Sequence, residues 1–197
     1  MNKLAFGAAF AALAIAVPAS APAQRLGAAV VAVIDTARIF RECNACKTAQ
    51  TQLQQQVDQA RQRAQQLGQP LQTEGQSLEN SLKALGGKAP DAALQGRIQA
   101  FQTRQNTANQ ELQNRQATIQ RNQQYVAQQI NTKLDPIIKS VMQSRGANIA
   151  VDMQATLATS PSIDVTNDVM AQLNQQLTSI NVNAPAAPAN AQQPQGR

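Results

Sequence analysis

The sequence Lys83-Ala-Leu-Gly-Gly-Lys-Ala-Pro-Asp91 separates two long segments that share one helical periodicity, and the fold class follows from this arrangement. Paired glycines followed by a proline cannot continue an α-helix, so this stretch predicts a turn between two helices. Two helices of similar length joined by a short turn form an antiparallel hairpin in which their apolar seams pack together. We therefore predict a helical hairpin, a coiled-coil arm, over residues 43–145 with its tip turn near 83–91.

The segments on either side of this turn carry apolar residues three and four positions apart, which is the spacing of a heptad seam. Before the turn the seam consists of Leu53, Val57, Ala60, Ala64, Leu67, Leu71, Leu78, Leu82 and Leu85. After the turn it consists of Leu94, Ile98, Phe101, Ala108, Leu112, Ile119, Val126, Ile130, Leu134, Ile137 and Val141. At 1.5 Å per residue, the stretch from about Ala45 to Leu85 predicts an arm roughly 60 Å long.

Short strand patterns bracket the hairpin. Residues 30–34 (Val-Val-Ala-Val-Ile) form a β-branched run before a capping Asp35, which predicts a buried strand followed by a helix. After the hairpin, residues 148–153 predict a second strand and residues 162–165 a short third one. A final amphipathic helix is predicted to begin at Thr166.

These strands and the last helix predict a small head. We assign residues 24–42 and 146–182 to it, so the fold class is mostly α, with a long antiparallel hairpin projecting from a small β-containing oligomerisation body. A head of so few short strands could scarcely bury its apolar face in one chain. The apolar residues expected between chains are Val31, Val33, Ile149, Val151, Leu173 and Leu177. Residues 183–197, rich in Ala, Pro, Gln and Asn, predict a disordered tail.

Three residues midway along the first arm helix are poor helix formers, namely Gly68, Pro70 and Gly75. In a helix interior each glycine costs about 1 kcal/mol relative to alanine, and proline about 3 kcal/mol. Counting back from the turn places Pro70 opposite about Gln105, a polar residue at a seam position. Two interpretations remain open, a hinge at which the arm bends and a static kink.

The N-terminus has the pattern of a secretory signal peptide. It contains Lys3, an apolar run at residues 4–17 and the small-x-small sequence Ala-Pro-Ala at 21–23. The run is shorter than the roughly 20 residues that a membrane-spanning helix needs. We therefore expect residues 1–23 to be removed on export, leaving the rest of the chain in the periplasm.

The composition argues against catalysis and metal binding. The chain has no histidine, the commonest general base and metal ligand. The carboxylates on which another mechanism would depend are scattered, at Asp35, Asp58, Glu74, Glu79, Glu111 and Asp135. We interpret them as solvated charges on helix faces and predict no enzyme, no metal site and no cofactor.

Cys43 and Cys46 form a C-x-x-C pattern near the start of the arm. Low-pKa thiols at a helix start could exchange disulfides in an oxidising compartment. No thioredoxin-like βαβ pattern surrounds the motif, and two cysteines alone are poor zinc ligands. A structural disulfide, local or between subunits, and a free thiol pair both remain open.

Basic residues cluster at the arm tip, at Lys83, Lys88, Arg97 and Arg104. They are candidates for contact with anionic lipid headgroups or acidic clients, against the alternative of a solvated helix face. Phe101 lies on the seam and is expected in the hairpin core. Tyr125 lies off the seam and is the better candidate for an exposed client contact.

Several of these features together resemble the Skp/OmpH family of periplasmic chaperones. They are the signal peptide, a strand ending Val33-Ile34-Asp35, the long hairpin, and the sequence Asp-Val-Thr-Asn-Asp-Val at 164–169. The resemblance implies a homotrimer with a small β-barrel-like head and three arms that enclose unfolded outer-membrane proteins without ATP. The Gln-rich arm and the cysteine pair depart from the simplest family pattern.

The sequence therefore favours an ATP-independent periplasmic holdase for unfolded outer-membrane proteins. The alternatives are a structural coiled-coil protein of the cell envelope and a thiol oxidoreductase, which depends on Cys43 and Cys46 alone. The net charge of +6, or +5 without Lys3, favours acidic partners. Nucleic acid is not an expected partner of an exported protein.

Overall fold

The computed structural model describes residues 27–186. The predicted signal peptide and residues 187–197 of the predicted tail lie outside this range. Within it, no helix combines the length and apolarity needed to cross a membrane. In chain order the elements are β1 (Val31–Ile34), α1 (Thr36–Glu42), α2 (Asn44–Ala84), α3 (Ala92–Arg145), β2 (Ile149–Asp152) and α4 (Thr166–Gln176). The predicted fold class, mostly α with a long hairpin and a small strand-containing head, is confirmed.

Helices α2 and α3 form the antiparallel arm, and the stretch between them turns as its glycines predict. Gly86 and Gly87 have φ values of 58° and 89°, a backbone region that glycine adopts without strain. Asp91 then caps α3, because its side chain accepts a hydrogen bond of 2.8 Å from the backbone N–H of Leu94. The seam residues most deeply buried along the outer arm are Leu78, Leu94, Ala108 and Ile119.

The poor helix formers do not break α2, which is helical from end to end. Pro70 is exposed, and a Cβ atom added at Gly68 would meet no neighbour within 4 Å. Gly75 lies against the ring of Phe101, whose Cζ would be 3.4 Å from an added Cβ. The half-buried Phe101 ring is thus part of the hairpin interior. Helix α3 likewise continues through a proline, Pro136.

The head contains a two-stranded parallel sheet, in which β1 pairs with β2 in the register Val31 with Ile149 through Ile34 with Asp152. The prediction of a third strand at 162–165 is wrong. Residues Pro161–Ile163 form a 3-10 turn, with Pro161 at its first position and Ser160 as its cap. Pairing with β1 is limited to one bridge between Val33 and Asp164. Proline favours the turn because its fixed φ suits a helical start.

The head core lies where α1, the base of the arm and α4 meet, and it includes Ile39, Ile130, Ile137, Val141 and Val169. Six apolar residues are predicted to pack between chains, and three of them lie inside a single chain instead. Val33, Leu173 and Leu177 are already buried within one chain, because α4 folds back on α3 and β1. Val31 and Val151 are half-buried, and Ile149 is 41% exposed.

The chain stays ordered beyond the expected end of the head. Residues 183–197 are predicted to be disordered, but Asn183 and Ala184 make hydrogen bonds to the base of the arm. Their partners are Gln56 of α2 and Asn122 of α3. Asn183 is bound through its side chain and Ala184 through its backbone N–H, so the composition alone does not reveal these contacts.

Candidate functional site

An open groove of about 730 Å³ lies between α2 and α3. Uncharged polar side chains form most of its walls, among them Gln59, Gln110, Asn114 and Thr118. Ala60 and Ile119 supply apolar surface at the same place. Such a surface offers both hydrogen-bond donors and acceptors together with apolar contact, because the stems of the long polar side chains also line the groove.

Two ion pairs connect the helices beside this groove. Arg63 of α2 binds Glu111 of α3 through two hydrogen bonds, of 2.8 Å from Nε and 3.0 Å from Nη2. Closer to the tip, Arg104 donates to Glu74. The interpretation of Glu74 and Glu111 as solvated charges is therefore incomplete, because the antiparallel packing brings each carboxylate to an arginine of the other helix.

The hydrogen bond from Arg63, together with one from Arg115, lowers the pKa of Glu111 from 4.5 to about 2. Both arginines stabilise the ionised carboxylate, which is the form that accepts their hydrogen bonds. The lowered pKa thus keeps Glu111 charged well below neutral pH.

Acid should weaken the arm at this contact. Because the folded pKa lies below the unfolded one, the stabilisation is present above about pH 4.5 and is lost as pH falls toward 2. We expect Glu111→Gln to melt at a lower temperature than the parent at pH 7, with the difference vanishing near pH 2. Circular dichroism melts of both proteins between pH 7 and pH 2 measure this difference in melting temperature. A difference that does not change with pH would contradict the role assigned to the Glu111 charge.

Most of the basic residues at the arm tip already contact neighbours in the arm. Lys83 lies 2.6 Å from Glu79, and the Nη2 of Arg97 donates to Ser77 Oγ at 3.2 Å. Arg104 is paired with Glu74 across the hairpin, as described above. Lys88 is exposed in the turn. Lys88 is therefore an exposed charge at the extreme tip, whereas the other three basic residues contact side chains within the arm.

Tyr125, the candidate for an exposed client contact, is half-buried near the base of the arm. It borders a small pocket with Thr132 and Lys133 of α3 and with Leu177 and Ser179 after α4. The ring therefore lies beside the C-terminal segment of its own chain. The sequence pattern places Tyr125 off the seam but does not show what covers that face.

Cys43 and Cys46 form a disulfide within the chain, with their Cα atoms 5.0 Å apart. Both are buried in the head core, at the junction between α1 and α2. Cys43 is not helical and caps α2, because its Sγ accepts a 3.1 Å hydrogen bond from the backbone N–H of Cys46. Within residues 27–186, no three His, Cys, Asp or Glu side chains are grouped so that they could hold a metal. Because the disulfide is buried in the core, external thiols have little access to it, and its position favours a structural role.

Replacing both cysteines by alanine should lower stability but leave client holding intact. A disulfide that closes so short a loop contributes about 2 kcal/mol by loop-closure entropy. Serine at Cys43 can keep the cap hydrogen bond to the backbone N–H of Cys46, whereas alanine loses it, so the added cost of the serine variant comes from the hydroxyl placed in the apolar core at Cys46. Thermal melts give the melting temperature of each variant and of the parent, and light scattering of an aggregating client gives their holding activity. Loss of holding by the alanine variant at an unchanged oligomeric state would show that the thiols act directly.

The model of a protein family described as "Outer membrane protein (OmpH-like)" matches residues 30–173, well over half of the chain. The chain belongs to this family. The match confirms the resemblance inferred from the strand before Asp35 and the segment that opens α4. It includes the whole OmpH-like arm and most of the head.

Two relatives of this OmpH-like chain cover most of its length. This chain is 27% identical over 166 residues to the "Chaperone protein Skp" of Yersinia enterocolitica. The alignment covers 83% of this chain and 95% of the relative. The fold of this chain is similar to that of a crystal structure described as an outer membrane chaperone (OmpH-like) from Caulobacter crescentus CB15. The TM-score is 0.67 at 17% identity, covering 85% of this chain and 97% of the other. At this identity the structural match shows the fold alone.

Proposed function

We propose that this OmpH-like chain is an ATP-independent holdase of the periplasm, exported by its N-terminal signal peptide and active without catalysis. As a homotrimer joined at the head, it would hold unfolded outer-membrane proteins between three arms. The observation that carries the proposal is the arm, which runs from Asn44 to Arg145 as two helices bordering an open polar groove. Such a surface suits clients that share an unfolded state and no common sequence.

Exposed apolar side chains on the head support the trimer. Ile149 is 41% exposed and lies on β2, a strand that pairs on one side only, with β1. Val30, which precedes β1, is 46% exposed, and Leu157 in the loop after β2 is fully exposed. Edge strands and apolar patches of this kind are sites of association between chains.

The positive charge supports capture of acidic segments. Without the signal peptide the chain carries +5, and Lys88 presents one of these charges at the tip of each arm. Acidic clients and anionic lipid headgroups would both be attracted there. Screening at 0.1 M salt acts over about 10 Å, so high salt should weaken this part of the binding.

Light scattering tests the function. An unfolded outer-membrane barrel is diluted from denaturant into buffer that contains the mature protein and no nucleotide, at low and at high salt. We expect suppressed aggregation at a fixed stoichiometry and weaker suppression at high salt. An equal mass of an unrelated soluble protein is the control. Scattering equal to that of the control would overturn the holdase proposal and favour a structural coiled-coil role.

A further inference from the structure

After α4 the chain crosses from the head to the base of the arm in an irregular segment, residues 177–184, here called the strap. Leu177 and Val182 are buried against the head core, and Ile180 is half-buried. The side chains of Thr178, Ser179 and Asn181 are exposed. The strap is therefore held to the core at two buried apolar positions, with exposed polar side chains between them.

Side-chain amides of the arm bind the main chain of the strap. Gln129 of α3 pairs with both main-chain groups of Asn181, accepting from its N–H at 3.0 Å and donating to its C=O at 2.8 Å. About two helical turns closer to the tip, the Oδ1 of Asn122 accepts from the N–H of Ala184 at 2.9 Å. These contacts use no side chain of the strap.

Asn122 is positioned for this contact by the other arm helix. Its Nδ2 donates to Gln56 Oε1 at 2.8 Å, and it is only 3% exposed. The Nε2 of Gln56 in turn donates to the side chain of Asn183 at 3.3 Å. A buried amide with both ends paired is held in one orientation, so its acceptor is preset toward the strap.

Amides that pair with a main chain do not select a sequence. Every residue except proline carries one N–H donor and one C=O acceptor, and an amide side chain offers one group of each kind. Through Gln129 and Asn122 the strap therefore occupies a site with the chemistry required to bind an extended polypeptide of varied sequence, and Gln56 adds a contact to one polar side chain.

This site is continuous with the open groove on the arm. Gln56, Asn122 and Asn183 border the groove of about 730 Å³, which extends from the end of the strap toward the tip. The strap thus fills the head-proximal end of a longer channel and leaves the remainder open. A client segment lying in the open part would reach the strap at its C-terminal end.

We propose that the strap is a built-in substitute for client, which occupies an extended-polypeptide site at Gln56, Asn122 and Gln129 and is displaced when an unfolded client binds. The inference rests on the proposed holdase function and adds regulation to it. Closing the empty site with the chain's own segment keeps its amides hydrogen-bonded until a client replaces them.

A labelled peptide tests the proposal. The probe is a fluorescein-labelled octapeptide with the sequence of residues 177–184, and its binding to the full mature chain is measured by fluorescence anisotropy. Val182→Asp places a charge at the buried strap position and should release the strap, leaving the arm amides unchanged. If the parent site is open in about a tenth of molecules or fewer, the variant binds the probe at least about tenfold more tightly. The matched control is Thr178→Asp, the same charge at an exposed strap position, which should bind like the parent.

Two further measurements make the result specific. Gln129→Leu added to Val182→Asp should abolish probe binding, and an unfolded barrel should compete with the probe. Equal probe affinity of parent and Val182→Asp, or unchanged affinity after Gln129→Leu, would overturn the strap proposal. Circular dichroism and sedimentation confirm that each variant is folded. The light-scattering assay separates the two proposals, since aggregation suppression by the parent supports the holdase whether or not the probe binds.

Discussion

Ile149→Lys should convert the proposed trimer into monomers and abolish the proposed holding of unfolded outer-membrane proteins. Ile149 lies on the edge strand β2 and is 41% exposed in one chain. At a threefold interface three lysines would lose solvation at once, and each unpaired charge taken out of water costs several kcal/mol. Without association the three arms cannot enclose a cavity. Sedimentation equilibrium at micromolar concentration gives the mass, and light scattering gives the activity.

The arm supplies a matched control for this change. Leu82 lies near the tip of the arm in α2. Its exposed fraction of 42% nearly equals the 41% of Ile149. Leu82→Lys introduces the same charge at the same exposure but far from the head, so it should remain trimeric. If both variants keep the parent mass, the chains associate through another surface and the proposed cavity must be reconsidered.

The triple variant Gly68→Ala, Pro70→Ala, Gly75→Ala should be the most strongly stabilised of the variants considered. Alanine fits at all three positions, because α2 is already helical there and the closest contact of a new Cβ is 3.4 Å, to Phe101. Helix propensity predicts a gain of about 1 kcal/mol for each glycine and about 3 kcal/mol for the proline. A gain of about 5 kcal/mol would raise the melting temperature by roughly 10–20 °C for a chain of this size.

The same variant distinguishes a hinge from a static kink. Spin labels on a cysteine at residue 89, in the tip turn, report distances between arms of one trimer, and the native cysteines are already bonded to each other. If the arm bends at these residues, the triple variant narrows the distance distribution and holds large clients less well than small ones. Gly96→Ala, at an open position in α3, is the control and should leave the distribution unchanged. An equally broad distribution in the triple variant would place the motion elsewhere or exclude it.

The arm was predictable because its signals are local and repeated. Apolar residues at three- and four-residue spacing define two helices, and the glycine pair with Pro90 defines the turn between them. The β-branched run before Asp35 predicts β1 for the same reason. Each of these patterns depends on residues that are neighbours in the chain, so no knowledge of packing is needed to interpret them.

Contacts between residues far apart in the sequence depend on how the helices and strands pack, and no local pattern predicts them. The pairing of Arg63 with Glu111 depends on the register of the hairpin, and the burial of Leu173 depends on how α4 folds back on α3. The third strand fails because one bridge to Val33 does not outweigh the turn preference of Pro161. Likewise, the composition after residue 182 indicates disorder, whereas amides of the arm bind the main chain there. Local propensity cannot report such a contact, because its energy comes from partners that only folding brings together.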